Sequence, residues 1–233
     1  MRQSGSLPVV LAILRKDVRM EVRTRQMISS MFVFAVLVLL VFNFTLFLDE
    51  LRALELGPGI LWVAFVFAAT LGLNRSFAIE SENRCISGLM LAPAPRSAIY
   101  FGKLLSNILF MVVMEIFVLP LFVVFFNLSL WDLLTPKELS TFLLVLFLGT
   151  VGYAAVGTIL AGVAANTTMR EVLLPVLLFP ISVPIVIAAA EATRLLFDEN
   201  PDTGPGIWIR VLVVFAVVFL AVSWLTFEYV VEE

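Results

Sequence analysis

The sequence predicts an all-α integral membrane protein with six transmembrane helices, preceded by an N-terminal amphipathic helix at the membrane interface. Composition gives the first reason: 61% of the 233 residues are hydrophobic, 14% are charged, and the mean hydropathy is +1.08. In soluble domains, about a quarter of all residues are charged. The pattern gives the second reason, because the apolar residues form six solid runs rather than alternating, which favours helices over a transmembrane barrel. We therefore predict one transmembrane domain over residues 1–233.

An interfacial helix is predicted over residues 7–26, where apolar residues recur every three or four positions. The apolar positions are Leu7, Val10, Leu11, Leu14, Val18 and Val22, and the other faces carry Arg15, Lys16, Arg19 and Arg23. Such a helix can place its apolar face at the acyl boundary and its basic face at anionic headgroups. The alternative is a solvated basic lead that only fixes topology.

Six runs have the length of a transmembrane helix, roughly 20 residues. They are at about Ile28–Phe47, Gly59–Ile79, Leu104–Phe126, Thr141–Ala165, Val172–Ala190 and Val211–Tyr229. The first run follows a charged lead and exceeds the roughly 7–15 residues of a signal-peptide core, so we expect it to remain as a helix. The fourth run, "LGTVGYAAVGTILAGVAA", is rich in small residues, which predicts close helix packing.

The positive residues are distributed asymmetrically between the two sides of the predicted bundle. Eleven of the 15 Lys and Arg lie on the side of the N-terminus and four on the other side, which predicts that both termini are cytoplasmic. Orientation explains these residues, so a nucleic-acid surface is not indicated. The single cysteine, Cys85, excludes an internal disulfide.

Catalytic chemistry lacks its usual side chains in this sequence. The chain has no histidine, one cysteine and no carboxylate cluster at metal-ligand spacing, so we expect neither an enzyme by itself nor a metal site. The Gly-Lys of "FGKLLS" does not form a phosphate loop, because Leu104 stands where Ser or Thr is needed.

Glu115 is the one carboxylate well within a predicted span. Burying it in ionised form costs at least a few kcal/mol, so such a residue is a functional candidate by default. The structural alternative is a glutamate that joins helices through a hydrogen bond. Both readings stay open, and we expect Glu115 to face the bundle or a subunit interface rather than lipid.

A cytoplasmic segment over residues 80–103 joins the second and third predicted spans. Its stretch "IESENRCISGLMLAP" runs from acidic residues to an apolar patch, Leu89 to Leu91, that ends at Pro93. Apolar residues outside the membrane with charged neighbours predict docking onto a protein partner or anchoring at the headgroups.

Three stretches carry a resemblance to a known family. The run "FAIESEN…SGLMLAPAPRSAIYFGK" resembles the cytoplasmic segment of ABC-2-type exporter permeases. The stretches "AANTTMREVLLPVLLFPISVPIVIAA" and "LRKDVRMEVRTRQMISSMFVFAVLVLLVF" are similar to the haem exporter protein B (CcmB) family, the membrane subunit of the cytochrome c maturation ABC complex. One departure is "RCISGL", which lacks the acidic residue that relatives often have near Ile86 or Ser87.

The resemblance implies a permease subunit of an ABC complex for haem export or haem delivery in c-type cytochrome maturation. It implies a bacterial inner-membrane protein whose partners are a separate ATPase subunit, haem-handling membrane subunits and membrane lipid, and we expect a homodimer within the complex. The alternatives are an ABC-2-type permease for another lipid-like or drug-like substrate, and a non-transport membrane scaffold.

The same resemblance implies where the partners bind. Residues assigned to ATPase coupling are Glu80, Glu82, Gly88, Leu89, Met90, Leu91, Pro93 and Lys103, and the second cytoplasmic loop contributes Arg170 and Glu171. ATP belongs to the partner subunit. Since the chain has no histidine, the usual haem ligand, we expect no cofactor bound directly and haem ligation by partner subunits.

Overall fold

The computed structural model of this chain describes residues 6–46, 50–82, 96–128, 134–165, 167, 169–198 and 204–230. These residues form helices and their connections, and no strand occurs among them. The helices are α1 (Ser6–Thr24), α2 (Gln26–Leu46), α3 (Glu50–Glu82), α4 (Arg96–Phe125), α5 (Pro136–Ala165), α6 (Arg170–Phe197) and α7 (Gly206–Val230). The predicted all-α class is confirmed.

Helices α2 to α7 are the six spans, since each is long and apolar enough to cross a membrane. Their order follows the six runs of the sequence, but several helices extend further than the apolar runs. Helix α4 begins at Arg96, so residues 96–103, which the sequence assigned to the cytoplasmic segment, form about the first two turns of the third span. At its other end, the segment begins as a continuation of α3 to Glu82.

Helix α5 is the centre of the bundle, and α3, α4, α6 and α7 all pack against it. Its glycines make these contacts possible because bulky side chains occupy the space that a Cβ atom would need. A Cβ at Gly149 would lie 2.2 Å from the Trp62 ring, and one at Gly157 would lie 2.3 Å from a Leu73 methyl. The small residues of the fourth span therefore serve packing, as the sequence predicts.

Helix α2 lies at the edge of the bundle, against α3 and α4. Its inward positions, Met27, Met31, Ala35 and Leu39, recur every four residues and are fully buried. Side chains on its other faces, such as Val33 and Phe44, are more than half exposed within the chain and are available to lipid. A one-sided burial of this kind is typical of a peripheral span.

Candidate functional site

Helix α1 docks along the first turns of α4, beside the predicted cytoplasmic segment. The contact is close because Gly102 has no side chain: a Cβ built there would lie 2.9 Å from Cβ of Ile13. Ile13 is β-branched and its Cβ is fixed to the backbone, so the two helices could not approach this closely with alanine at position 102. Gly102 therefore sets the spacing between α1 and α4.

One turn further along α1, a buried ion pair joins the same two helices. Lys103 Nζ lies 3.0 Å from Asp17 Oδ2, and the side chains are 3% and 5% exposed. Lys16 Nζ also approaches Asp17, at 3.2 Å from Oδ1, from the exposed side of α1. A buried ion pair adds little net stability but is costly to break, because removing one partner leaves the other charge without compensation. The pair therefore fixes how α1 sits on α4.

Glu21 fastens α1 to the start of α2. Its Oε1 accepts a hydrogen bond of 2.8 Å from the backbone N–H of Ile28, in the first turn of α2, where the amides lack partners within the helix. Between the two helices, Arg25 adopts a left-handed backbone with φ 53°. Ile13, Asp17 and Glu21 are thus spaced by four residues and form the buried face of α1.

The apolar positions predicted for the membrane-facing side of α1 differ in their exposure. Leu7, Leu11 and Val22 are more than half exposed, as an acyl-facing surface requires. Val10, Leu14 and Val18 are half-buried. The side chains that fasten α1 to the bundle, Asp17 and Glu21, were not singled out from the sequence. The signal that could have identified them is the spacing of two acids and Ile13 on one helical face, within an otherwise basic lead.

Inside the bundle, Glu115 faces its neighbours rather than lipid, as expected from the sequence. Glu115 is 7% exposed, and its Oε1 accepts a hydrogen bond of 2.5 Å from the Thr150 hydroxyl of α5. Among the described residues, Thr150 is its hydrogen-bonding partner and no Lys or Arg pairs with it. Its functional role stays a prediction.

Further hydrogen bonds connect α5 and α3 to the rest of the bundle. They are Tyr153 to Val66 O at 3.2 Å, Tyr153 with Thr70 at 2.7 Å, Asn107 to Thr158 at 3.0 Å, Ser223 to Ala155 O at 3.2 Å and Trp62 to Thr193 at 3.0 Å. Each joins two different helices. These buried polar groups hold the spans in register where lipid offers no hydrophobic drive for association.

The other residues assigned to coupling are only partly covered. Gly88, Leu89, Met90, Leu91 and Pro93 lie outside the described residues, and the side chains of Glu80 and Glu82, at the end of α3, do so too. Arg170 and Glu171 are the first two residues of α6, again with side chains outside the described set. Their roles stay predictions. The Lys103 side chain lies in the ion pair with Asp17, so its charge faces α1.

Metal-binding side chains do not gather in the described part of the chain: no group of three or more His, Cys, Asp or Glu residues there could hold a metal ion.

Comparison with known proteins finds one family over almost the entire chain. The family model described as CcmB protein matches residues 8–232. The chain is 24% identical to Heme exporter protein B of Pseudomonas aeruginosa, over 88% of this chain and 89% of that protein. It is 28% identical to the protein of the same name from Rhodobacter capsulatus, over 78% and 81% of the two chains. The corresponding protein of Bradyrhizobium diazoefficiens is 26% identical over 78% and 80%.

Proposed function

The chain belongs to the CcmB protein family, and on that premise we propose that it is the membrane-spanning permease subunit of an ABC complex for haem export or haem delivery in c-type cytochrome maturation. The observation that carries the proposal is the extent of the family match, residues 8–232, which takes in α1 and all six spans. The similar bacterial proteins are named Heme exporter protein B. The six spans and the bacterial relatives both agree with a multi-pass protein of the bacterial inner membrane.

Energy for such a subunit comes from a separate ATPase, which we propose binds the segment over residues 80–103. Glu80, Glu82, Gly88, Leu89, Met90, Leu91 and Pro93 form the docking surface in this proposal. The apolar patch from Leu89 to Leu91 supplies the buried part of the contact and the acids its charged rim. We further propose that Arg170 and Glu171 contribute from the second cytoplasmic loop.

The junction of α1 and α4 supports this assignment, because it provides a mechanical connection from the segment to the membrane. Lys103 is the last residue of the segment and lies in the second turn of α4. A displacement of the segment acts on α4 directly, and on α1 through the ion pair of Lys103 with Asp17. In this proposal, ATP-driven movement in the partner shifts a spanning helix and the interfacial helix together.

Haem enters the proposal as cargo and not as a resident cofactor. The chain contains no histidine, the most frequent haem ligand in proteins, and its thiol is the single Cys85. We therefore propose that partner membrane subunits supply the axial ligands. The chain described here supplies the membrane passage or scaffold and transmits the movement.

Two measurements on the purified complex test the proposal. First, we expect an ABC ATPase and haem-handling membrane subunits to co-purify with the tagged chain from its native host in mild detergent. Second, haem is titrated into the chain with its ATPase alone and into the complete assembly. We expect a low-spin haem spectrum only in the complete assembly. Co-purification of lipid or polysaccharide export partners instead, with no effect of gene deletion on c-type cytochromes, would contradict the proposal.

A further inference from the structure

A groove opens on the lipid-facing side, where the bend at Arg25 between α1 and α2, called the elbow below, meets α4. Its volume is about 500 Å³. The lining consists of Val18, Glu21, Val22, Arg25, Ile28, Ser29, Leu109, Phe110, Val113 and Phe117. One end carries the polar side chains of the elbow, and the other is entirely apolar, which is the division that an amphipathic ligand requires.

The apolar wall of the groove follows one face of α4. Leu109, Val113 and Phe117 are spaced by four residues, so they form a column of about 12 Å along the helix, at 1.5 Å per residue. Leu109 and Phe117 are 39% and 58% exposed, and Val22 across the groove is 68% exposed. The column runs from the elbow towards the bilayer interior, since α4 is a spanning helix.

Arg25 is the cation at the polar end. It is exposed, and among the described residues no hydrogen bond or ion pair engages its guanidinium. The left-handed backbone at Arg25 breaks the helix between α1 and α2. Ser29, also exposed, contributes a hydroxyl at the same end.

Glu21 is the one acid of the lining, and its carboxylate is buried against the start of α2. It is 5% exposed and accepts the hydrogen bond from the Ile28 amide, so its charge is offset by the N-terminus of α2. The guanidinium of Arg25 is therefore the charged group that the groove presents to the lipid phase.

We propose that this groove binds one phospholipid, with its phosphate on Arg25 and one acyl chain along Leu109, Val113 and Phe117. A guanidinium forms charge-assisted hydrogen bonds with phosphate oxygens, and an apolar wall accepts the chain at the same time. A second groove of about 670 Å³, between α1, the first turns of α4 and Trp224 of α7, has no charged residue in its lining, so it offers no cation to a phosphate. The basic face of α1 has cations, from Arg15 to Arg23, but all of its lining residues belong to α1. It therefore has no second helix to form a wall for an acyl chain.

The test counts bound lipid by native mass spectrometry while the full-length chain, in delipidating detergent, is titrated with phosphatidylglycerol. Arg25→Gln removes the cation and keeps a non-glycine residue at the left-handed position. Val113→Trp fills the apolar end. We expect Arg25→Gln to bind the first lipid about tenfold more weakly than the wild type, the effect of losing one charge-assisted contact. We expect a loss of similar size for Val113→Trp, because the indole takes the place of the acyl chain.

Matched controls distinguish this site from general lipid adhesion. Arg23→Gln removes an exposed cation of α1 that lies outside the lining, and Val124→Trp places the same bulk on α4 at a position that is 70% exposed. Both controls should bind the first lipid within about twofold of the wild type, which is well inside the tenfold effect of one charge-assisted contact. A thermal unfolding scan verifies that all variants are folded.

Three outcomes would overturn the proposal. Equal lipid affinity in the wild type and in both groove variants would show that no lipid binds there. A loss caused by Val113→Trp but not by Arg25→Gln would show an acyl or detergent site without phosphate recognition. Competition by millimolar inorganic phosphate without any effect of Val113→Trp would show a free-phosphate site.

Discussion

The ion pair between Asp17 and Lys103 attaches α1 to α4 through two single side chains. Asp17→Leu leaves the buried ammonium without its carboxylate, for which we expect a loss of about 3–5 kcal/mol in the free energy of unfolding. The double variant Asp17→Leu with Lys103→Met removes both charges and should be close to the wild type, because apolar replacement of a buried pair is often neutral. Unfolding titrations in mixed micelles measure each corner of this cycle.

The matched control for that cycle is Lys16→Met. Lys16 contacts the same carboxylate, but its side chain is 41% exposed, so solvent screens the pair and the change should stay below about 1 kcal/mol. Additive effects of Asp17→Leu and Lys103→Met, with no coupling between them, would show that the pair does not hold α1 in place.

Glu115 raises the question of whether a buried carboxyl works through its charge or through its hydrogen bond. Among the described residues it accepts a hydrogen bond from the Thr150 hydroxyl, and a glutamine carbonyl at position 115 would accept the same hydrogen bond. We expect Glu115→Gln to keep stability and cytochrome c maturation, and Glu115→Leu to destabilise by about 1–3 kcal/mol because the Thr150 hydroxyl is then left unpaired in the core. Loss of maturation in a folded, normally abundant Glu115→Gln variant would instead assign the function to the charge or the proton.

At the scale of the helix, α5 shows why its glycines are needed. In Gly149→Ala the new Cβ would lie 2.2 Å from the Trp62 ring, which is rigid and is held by its hydrogen bond to Thr193. We expect a loss of about 1–3 kcal/mol from overpacking, measured by thermal unfolding in detergent. Gly59→Ala on α3 is the control, since nothing lies within 4 Å of its Cβ and stability should not fall. Equal effects at the two positions would refute the packing role.

The elements of the fold were largely predictable, and their ends and inner faces were not. Six apolar runs of about 20 residues predict six spans because bilayer thickness imposes the length. The start of α4 at Arg96 was not predicted, since Arg96, Ser97 and Lys103 interrupt the hydrophobic signal although the helix includes them. On α1, hydrophobicity marks the face towards lipid, whereas the face towards the protein carries Asp17, which is buried because Lys103 is opposite. The periodicity of one helix does not show which side chains of another helix will pair with it.

For the molecule as a whole, the family match and the six spans show a membrane protein of the CcmB family, and we propose that its energy comes from another protein. The path we propose runs from the ATPase to residues 80–103, then to α4, and through Lys103 and Asp17 to α1. The part of the path within the described residues is built from specific contacts. The part at the ATPase rests on the apolar patch that begins at Leu89, which the sequence alone provided.

The most direct test of this account is ATPase retention by the double variant Leu89→Asp with Leu91→Asp. Two buried charges at a docking surface are not compensated by the partner, so we expect the ATPase to dissociate during affinity purification while the chain remains inserted and folded. The control is Leu7→Asp with Leu11→Asp on the exposed face of α1, which should retain the ATPase. Full ATPase retention and ATP-dependent cytochrome c maturation in the Leu89→Asp, Leu91→Asp variant would contradict the proposed coupling segment.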